Sequence, residues 1–247
     1  MDIPPDTIMN RMLDELGKQS DSRTIQYHKN EDARTPNVNN HTHIGVKIPI
    51  IRDIGKRYFN TLKESGIKDI DPVLEYCEYL LTQKISELRV IAFQWSFKVQ
   101  RQYRADHFHV FHRWITEYLS GWGSCDDLCT HSVPYHLMKF PQFVNEYKNL
   151  TESENPWARR ASAVTFIIPV RKKMFFEHVF DISDTLMHDK EDLVLKGYGW
   201  LLKEATRHYQ DEVYEYVLSH RSDMPRVALR YAIEKLPEEM RKEAMKK

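Results

Sequence analysis

The sequence has few of the residues that mark secreted, membrane-spanning or turn-rich proteins. Only 3 of its 247 residues are cysteine, an odd and sparse set that suits a reducing compartment better than a disulfide framework. No apolar run approaches the ~18 residues of a membrane span. The first residues, MDIPPDTIMNRML, lack the apolar core of a signal peptide. Glycine is scarce, with 8 residues, which favours helices. We therefore expect a helical, cytoplasmic protein with no membrane partner.

The charge of the chain is balanced. It carries 36 basic and 36 acidic residues, so its formal net charge is zero. Overall charge therefore gives no argument for binding nucleic acid or a membrane surface. A nucleic-acid-binding protein with this composition must separate its charges, with basic residues gathered on one face and acidic residues elsewhere.

Apolar residues recur at helical spacing along most of the chain, as in the segment 84–103. The β-branched segment AVTFIIPV lies among helical patterns and ends at Pro169, so we interpret it as a buried helix. Residues 18–44 are polar, and we predict that they form a long loop or a lid over another part of the molecule. Helix pairs recur at roughly 35–40 residues, the length of a HEAT-type repeat, but the repeats are degenerate. The pattern predicts one all-α domain over residues 1–247 and leaves both a solenoid and an irregular bundle open.

The segment 120–130, SGWGSCDDLCT, places an aromatic residue beside two acids. If the segment is helical, Trp122 and Asp126 share one face because they are four residues apart. Alternatively, a helix begins at Ser124, which forms a variant capping box with Asp127 and leaves Trp122 on the preceding turn. In both cases an indole and a carboxylate point into the same space. The plainer alternative is a buried tryptophan beside two solvated acids that stabilise a helix start.

Two further segments combine tryptophan with basic residues. In DLVLKGYGWLLKEATR, Lys196, Trp200 and Lys203 share one helix face. There the indole can stack on a base or sugar, or pack at a helix seam with the lysines extended around it. In PWARRA, Arg159 and Arg160 lie near a helix start, where the helix dipole disfavours cations. We therefore expect an anionic partner for them, either a protein carboxylate or a phosphate.

Other kinds of site find little support. Histidines cluster in HFHVFH, and Cys125 and Cys129 lie near His131. A closed zinc site needs four well-placed ligands, and no acid or thiol completes these sets. The sequence also lacks the GxGxxG, P-loop, HExxH and GxSxG motifs. We expect neither a metal nor a cofactor.

Taken together, five segments resemble the AlkD-type DNA glycosylases, the DNA alkylation repair family of HEAT-like repeat proteins. They are GVKIPIIR, SGWGSCD, WARRASAV, KGYGWLLKEA and PRVALRYAI, in family order and at nearly family spacing. No segment is specific alone, but five in register are. The resemblance implies an all-α, HEAT-like repeat α-solenoid, a right-handed stack of antiparallel helix pairs with a basic concave face. It also implies a monomer, because that face must remain open.

The resemblance assigns roles to residues at matching positions. Asp126 matches the catalytic carboxylate, Trp122 and Trp200 match the aromatic residues that line the lesion, and Arg160 matches the arginine that grips the phosphate backbone. Tyr27 matches a third lesion-facing aromatic residue. Lys47, Arg52 and Lys203 lie where the family places residues that contact the DNA backbone. From the basic segments above, we expect Arg159 and Lys196 to contact DNA as well.

The implied function is a base excision repair glycosylase that hydrolyses the N-glycosidic bond of cationic alkylated purines, such as 3-methyladenine or 7-methylguanine, in duplex DNA. Alkylation makes the base a good leaving group, so no strong general acid is needed. A fixed carboxylate stabilises the positive charge that develops on the deoxyribose and orients the attacking water. Indole faces attract the cationic nucleotide by ~0.5–2 kcal/mol each. The resemblance further implies that the lesion stays in the duplex.

Two alternatives to an enzyme remain. The first is a non-catalytic HEAT-like module that binds DNA or a protein partner through the same face. The second is a purely structural helical scaffold, which leaves the aromatic and basic residues unexplained. Gly121 stands where the family often has a second tryptophan, which affects the lesions that are accepted. The presence of Asp126 together with both Trp122 and Trp200 favours the enzyme.

Overall fold

A computed structural model of the chain describes residues 3–35 and 41–246. Within these ranges the chain is helical and contains no β-strand beyond an isolated bridge, so the all-α prediction is confirmed. The chain forms two compact units. Unit 1 comprises residues up to 107 together with 120–128, and unit 2 comprises 108–119 together with the chain from 129 onward. The single domain over residues 1–247 stays a prediction.

The α-helices of the described residues are numbered in chain order. They are α1 (Pro5–Gly17), α2 (Ser22–Asp32), α3 (Ile48–Glu64), α4 (Ile70–Thr82), α5 (Ser86–Lys98), α6 (Phe108–Tyr118), α7 (Trp122–Thr130), α8 (Ser132–Lys139), α9 (Val144–Lys148), α10 (Pro156–Val164), α11 (Ile167–Arg171), α12 (Val179–Leu186), α13 (Asp192–Ala205), α14 (Gln210–His220), α15 (Arg226–Ala232) and α16 (Glu238–Ala244). None of the described helices is long and apolar enough to cross a bilayer.

The core of unit 1 forms around α5, which packs against α3 and α4. The predicted apolar stripe of this helix, which includes Leu88, Ile91 and Trp95, is buried. The Trp95 indole Nε1 donates a hydrogen bond of 2.7 Å to the carbonyl of Gly55 on α3. Since a buried indole N–H needs a partner, this bond fixes the depth at which the two helices pack.

The long loop predicted over residues 18–44 is wrong in its middle part, where the chain forms α2. This helix begins because the Asp21 side chain accepts hydrogen bonds from the Arg23 backbone N–H at 3.2 Å and from the Thr24 hydroxyl at 2.9 Å. It was missed because it buries no residue completely, so its sequence shows no apolar stripe. Residues 36–40 of the predicted loop lie outside the described residues.

The segment 41–46 is extended and is anchored to the start of α5. Thr42 and Ile85 form a parallel bridge. The Glu87 carboxylate, which is only 2 % exposed as a residue, accepts the backbone N–H groups of Ile44, Gly45 and Val46 at 3.1, 2.8 and 3.2 Å. These bonds satisfy a buried charge and three backbone donors together, so the segment has one defined position.

The core of unit 2 forms around α13, which packs against α10, α12 and α15. The apolar face of α13 is buried and includes Leu193, Val194, Gly197, Tyr198, Leu201 and Ala205. The β-branched segment is helical, as predicted, and divides between α10 and α11. The three cysteines of the chain, Cys77, Cys125 and Cys129, are buried and form no disulfide.

Helices α13 and α15 approach closely at Gly199, so a larger residue at this position should destabilise the fold. A Cβ atom there would lie 2.8 Å from the Tyr231 Cβ and 2.9 Å from the Ala228 carbonyl oxygen, both held by a packed helix. We expect Gly199→Ala to lower the free energy of unfolding by about 1–3 kcal/mol through overpacking. The measurement is urea denaturation followed by circular dichroism.

The matched control for this substitution is Gly123→Ala on α7. A Cβ atom at Gly123 meets nothing within 4 Å. The added methyl group should be neutral or stabilise by up to about 1 kcal/mol, because alanine loses less backbone entropy in a helix. Equal effects of the two substitutions would contradict the close packing at Gly199.

Candidate functional site

Unit 1 contains a cavity of about 300 Å³. Its walls come from α2, the segment 41–46, α3, α5 and the start of α7. Tyr27 of α2 and Trp122 of α7 both line it, so two of the predicted site residues meet at one cavity although they are far apart in the chain. Tyr27 is 61 % exposed and one of the few exposed large apolar residues of the described chain. An exposed aromatic beside a cavity is typical of a binding surface.

Helix α7 begins at Trp122, which decides between the two predictions for this segment. Trp122 and Asp126 are one turn apart in the same helix, and both are half-buried. The alternative helix start at Ser124 is wrong. The Ser124 hydroxyl instead accepts the N–H groups of Ser120 and Gly121 at 3.3 and 3.2 Å and donates to the Gly121 carbonyl at 2.9 Å. The serine therefore stabilises the turn that leads into the helix.

The second acid of this segment, Asp127, lines the cavity, whereas Asp126 does not. The Asp127 carboxylate accepts a hydrogen bond of 2.9 Å from Arg52 Nη2 on α3, and its side chain is only 10 % exposed. This ion pair ties α7 to α3. Arg52 was predicted to contact DNA, and the structure places its guanidinium on a carboxylate of the same unit.

Histidines form much of the cavity wall. The His28 and His43 rings are stacked, with centroids 4.5 Å apart and an interplanar angle of 3°. His43 Nε2 lies 2.9 Å from an Asp32 carboxylate oxygen. Burial, assisted by His43, lowers the pKa of His28 below its ordinary value, so His28 is neutral at pH 7. The wall therefore presents flat, polar rings without adding positive charge at His28.

Arg89 contributes the guanidinium of the cavity wall. Its Nη1 donates to the Ser120 hydroxyl at 2.6 Å, and that oxygen lies 2.9 Å from His41 Nδ1. Burial lowers the pKa of Arg89 to about 10, which still leaves it protonated at neutral pH. The guanidinium therefore links α5 to the segment 41–46 through the serine that precedes α7.

The charges around the cavity favour a cationic occupant. The lining residues include four carboxylates, Glu31, Asp32, Glu87 and Asp127, and the guanidinium of Arg89. Arg52 balances the charge of Asp127, so three carboxylates remain against Arg89. Glu87 is engaged by backbone N–H groups, which carry no formal charge. Aromatic faces attract cations through the ring quadrupole, so Tyr27 and Trp122 act in the same direction as the acids.

In unit 2 the structure brings Arg160 of α10 against α13, the helix of Trp200. Arg160 is 3 % exposed, and its Nη1 donates to the Leu193 carbonyl at 2.8 Å. A Cβ atom at Gly197 would lie 3.3 Å from the Arg160 Cγ, so the absence of a side chain there makes room for the arginine stem. Trp200 is half-buried, one turn beyond Lys196 on the same helix face.

Three of the remaining predicted DNA contacts pair with a carboxylate of their own unit, and Lys47 is exposed immediately before α3. Arg159 forms a bidentate pair with Asp189, with distances of 2.6 and 3.2 Å, so the carboxylate is the anionic partner that the sequence left open. Lys203 Nζ lies 3.0 Å from Glu234, and Lys196 Nζ lies 3.8 Å from Asp192. Their contact with DNA stays a prediction.

Sequence reasoning missed the polar wall of the cavity. His28 and Asp32 lie on the helix that was predicted as a loop, and Glu87 and Arg89 lie on a helix whose apolar stripe alone was considered. The available signal was the pair of acid and base, Glu87 and Arg89, beside the apolar stripe of the helix. Among the described residues no group of three histidine, cysteine or acidic side chains converges as a metal site.

The ion pair between α3 and α7 can be tested by removing one partner. We expect Arg52→Met to lower the free energy of unfolding by about 1–3 kcal/mol, because it leaves the largely buried Asp127 carboxylate without its cation. The measurement is urea denaturation of Arg52→Met, Asp127→Asn and the double variant, with a double variant less destabilised than the sum of the single variants.

The matched control is Arg34→Met, since Arg34 pairs with Glu31 at 3.6 Å and its side chain is 75 % exposed. An exposed pair contributes only about 0–1 kcal/mol. Additive effects of the Arg52 and Asp127 substitutions, or an equal effect at Arg34, would show that the ion pair does not hold α7.

Comparison with known proteins agrees with the resemblance drawn from the sequence. The family model described as DNA alkylation repair enzyme matches residues 9–236. A solved structure described as a predicted DNA alkylation repair enzyme from Enterococcus faecalis is similar in fold, with a TM-score of 0.74 and 14 % sequence identity over 89 % of this chain and 98 % of that one. This likeness supports the predicted α-solenoid fold class. No curated protein matches the sequence. Because the family model covers most of its length, the chain belongs to the DNA alkylation repair enzyme family.

Proposed function

We propose that this enzyme is a DNA glycosylase that hydrolyses the N-glycosidic bond of cationic alkylated purines in duplex DNA, as a step of base excision repair. The observation that carries the proposal is the cavity of unit 1, where Tyr27 and Trp122 meet four carboxylates and one guanidinium. A purine alkylated at N3 or N7 is a flat cation. Aromatic faces and an excess of acids are the chemistry that attracts such a base and disfavours its uncharged counterpart.

The catalytic task is to stabilise an oxocarbenium-like sugar, since the cationic base leaves without strong acid catalysis. A carboxylate beside C1′ stabilises the developing positive charge and orients the water that attacks this carbon. The water gives its proton to the carboxylate or to solvent as the C1′–O bond forms. The glycosidic electron pair leaves with the base and neutralises its charge. Asp126 is the proposed carboxylate, one helical turn from the Trp122 indole.

Asp126 and Asp127 are adjacent, and we propose different roles for them. Asp127 is held by Arg52 at 2.9 Å and is largely buried, so its negative charge is already balanced by a guanidinium. This ion pair suits Asp127 to positioning α7. The chemical role is proposed for Asp126 because the family resemblance matches it to the catalytic carboxylate.

In unit 2, Trp200 and Arg160 are the proposed contacts to the lesion nucleotide and to the phosphate backbone. The buried Arg160 stem lies against Gly197, and the guanidinium is oriented by the Leu193 carbonyl. A guanidinium that is oriented before binding loses less rotamer entropy when it grips a phosphate.

The assay that tests the proposal measures free base released from duplex DNA containing 7-methylguanine or 3-methyladenine, in single turnover with excess protein. We expect release by the unmodified protein and a fall of roughly 10²–10³-fold in rate for Asp126→Asn, because the amide cannot stabilise the sugar cation. Asp127→Asn makes the same change one residue away; it removes the ion pair with Arg52 and should lower the rate less than Asp126→Asn does.

The outcomes separate the alternatives. A larger loss in Asp127→Asn than in Asp126→Asn would transfer the catalytic role to Asp127. Binding of the lesion duplex without base release would favour the non-catalytic DNA-binding module. If the protein neither binds nor cleaves the duplex, the glycosylase proposal fails.

The role of the cavity is tested by Tyr27→Leu. Tyr27 is mostly exposed, so the substitution should leave the fold intact. Loss of one cation–π contact of about 0.5–2 kcal/mol should lower the release of 7-methylguanine by roughly 2–30-fold. Binding of undamaged duplex should be unchanged. Tyr79→Leu on α4, away from the cavity, is the control, and an equal effect there would exclude a specific contact at Tyr27.

A further inference from the structure

Unit 2 contains a cluster of cations around one buried acid, and none of its members is assigned a role above. Glu204 of α13 is 2 % exposed. Arg171 Nε and Arg207 Nε both donate to its Oε2, at 2.8 and 2.6 Å, and Lys235 Nζ donates to its Oε1 at 2.7 Å. The cations come from the end of α11, the turn after α13 and the segment after α15, so the fold brings them together around the carboxylate.

The cluster has more positive charge than its acid can balance. Burial alone would raise the pKa of Glu204, but hydrogen bonds from Arg171, Lys235 and Arg207 hold that pKa well below its ordinary value, so the carboxylate is ionised at neutral pH. Three cations against one carboxylate leave two positive charges. Such an excess costs free energy unless an anion approaches it.

The unused donors of this cluster point to the kind of anion. Both arginines reach Glu204 through Nε, and within the described chain the four terminal Nη atoms of Arg171 and Arg207 make no hydrogen bond. Paired terminal guanidinium nitrogens are the geometry that binds a phosphate through two parallel hydrogen bonds. Glu204 fixes the stems of both arginines, so little rotamer entropy is lost on binding.

These donors line a shallow depression of about 650 Å³ in unit 2. Its lining residues are Arg171, Thr206, Arg207, His208 and Lys235. No acid is among them, since Glu204 lies beneath the surface. The His208 ring is fixed by a contact of 3.1 Å between its Nε2 and the Arg171 carbonyl. The depression therefore exposes cationic and hydroxyl-bearing side chains over a buried acid.

We propose that this depression is a binding site for a phosphate group of a nucleic-acid backbone. Glu204 follows Trp200 by four residues, so the site lies one turn, about 6 Å, beyond that tryptophan along α13. A phosphate there positions the duplex without reading its sequence. The site requires no base chemistry, so it stands or falls independently of the glycosylase proposal.

The test uses the full chain and an undamaged duplex, with binding followed by fluorescence anisotropy over a series of salt concentrations. For Arg207→Gln we expect weaker binding at every salt concentration and a slope of log Kobs against log salt reduced by about 0.9, the value for one lost phosphate contact. The matched control is Arg230→Gln, which removes the same charge from an exposed position on α15. Equal changes of slope for the two variants would overturn the proposal.

Lys235→Gln serves as a second variant, because it leaves both arginines on Glu204 and decides the question if Arg207→Gln fails to fold. Lys235→Gln should also reduce the slope of log Kobs against log salt. Circular dichroism melting checks the fold of each variant. Titration with inorganic phosphate, followed by NMR of the arginine side chains, separates the two sources of a phosphate group. Phosphate binding at the cluster with an unchanged DNA slope would refute the assignment to a nucleic-acid backbone.

Discussion

The hydrogen bonds from three successive backbone N–H groups to the Glu87 carboxylate are the constraint on which the cavity of unit 1 depends. A buried carboxylate is costly unless donors surround it, and an extended segment buried without partners is costly for the same reason. Here the backbone N–H groups stabilise the carboxylate, and the carboxylate satisfies the N–H groups. The segment that results carries His41 and His43 and connects to α2, so one side chain places a whole wall of the cavity relative to α5.

The distribution of charge explains how a neutral chain can serve a polyanionic substrate. In unit 1 carboxylates outnumber the guanidinium around the cavity, whereas in unit 2 the Glu204 cluster has cations in excess. We propose a cationic base as the occupant of the first site and a backbone phosphate as the occupant of the second. A net charge of zero does not reveal either local excess. Binding of nucleic acid by a neutral chain requires its charges to be separated, and each unit by itself shows a local excess of one sign.

The sequence predicted those features that depend on the residues of a single helix. The buried apolar stripe of α5 follows from spacing alone, and helical spacing gave one of the two alternatives for Trp122 and Asp126. The α2 helix was missed because its start depends on a polar cap and its faces bury little. The partners of Arg52 and Arg159 are 75 and 30 residues away, and no local pattern distinguishes a carboxylate at that distance from a phosphate. Pairings between distant segments could therefore not be predicted from the sequence, although Arg52 and Arg159 themselves had been singled out.

The burial of all three thiols has a chemical consequence for a member of this family. Electrophiles that alkylate purines also react with thiolates, which are better nucleophiles than ring nitrogens. Burial raises the pKa of Cys77 and excludes the thiolate form at physiological pH. Cys125 and Cys129, on the helix of Trp122 and Asp126, are shielded from reagents by the same packing. The fold thus keeps its thiols, its strongest nucleophiles, out of reach of the agents that alkylate DNA.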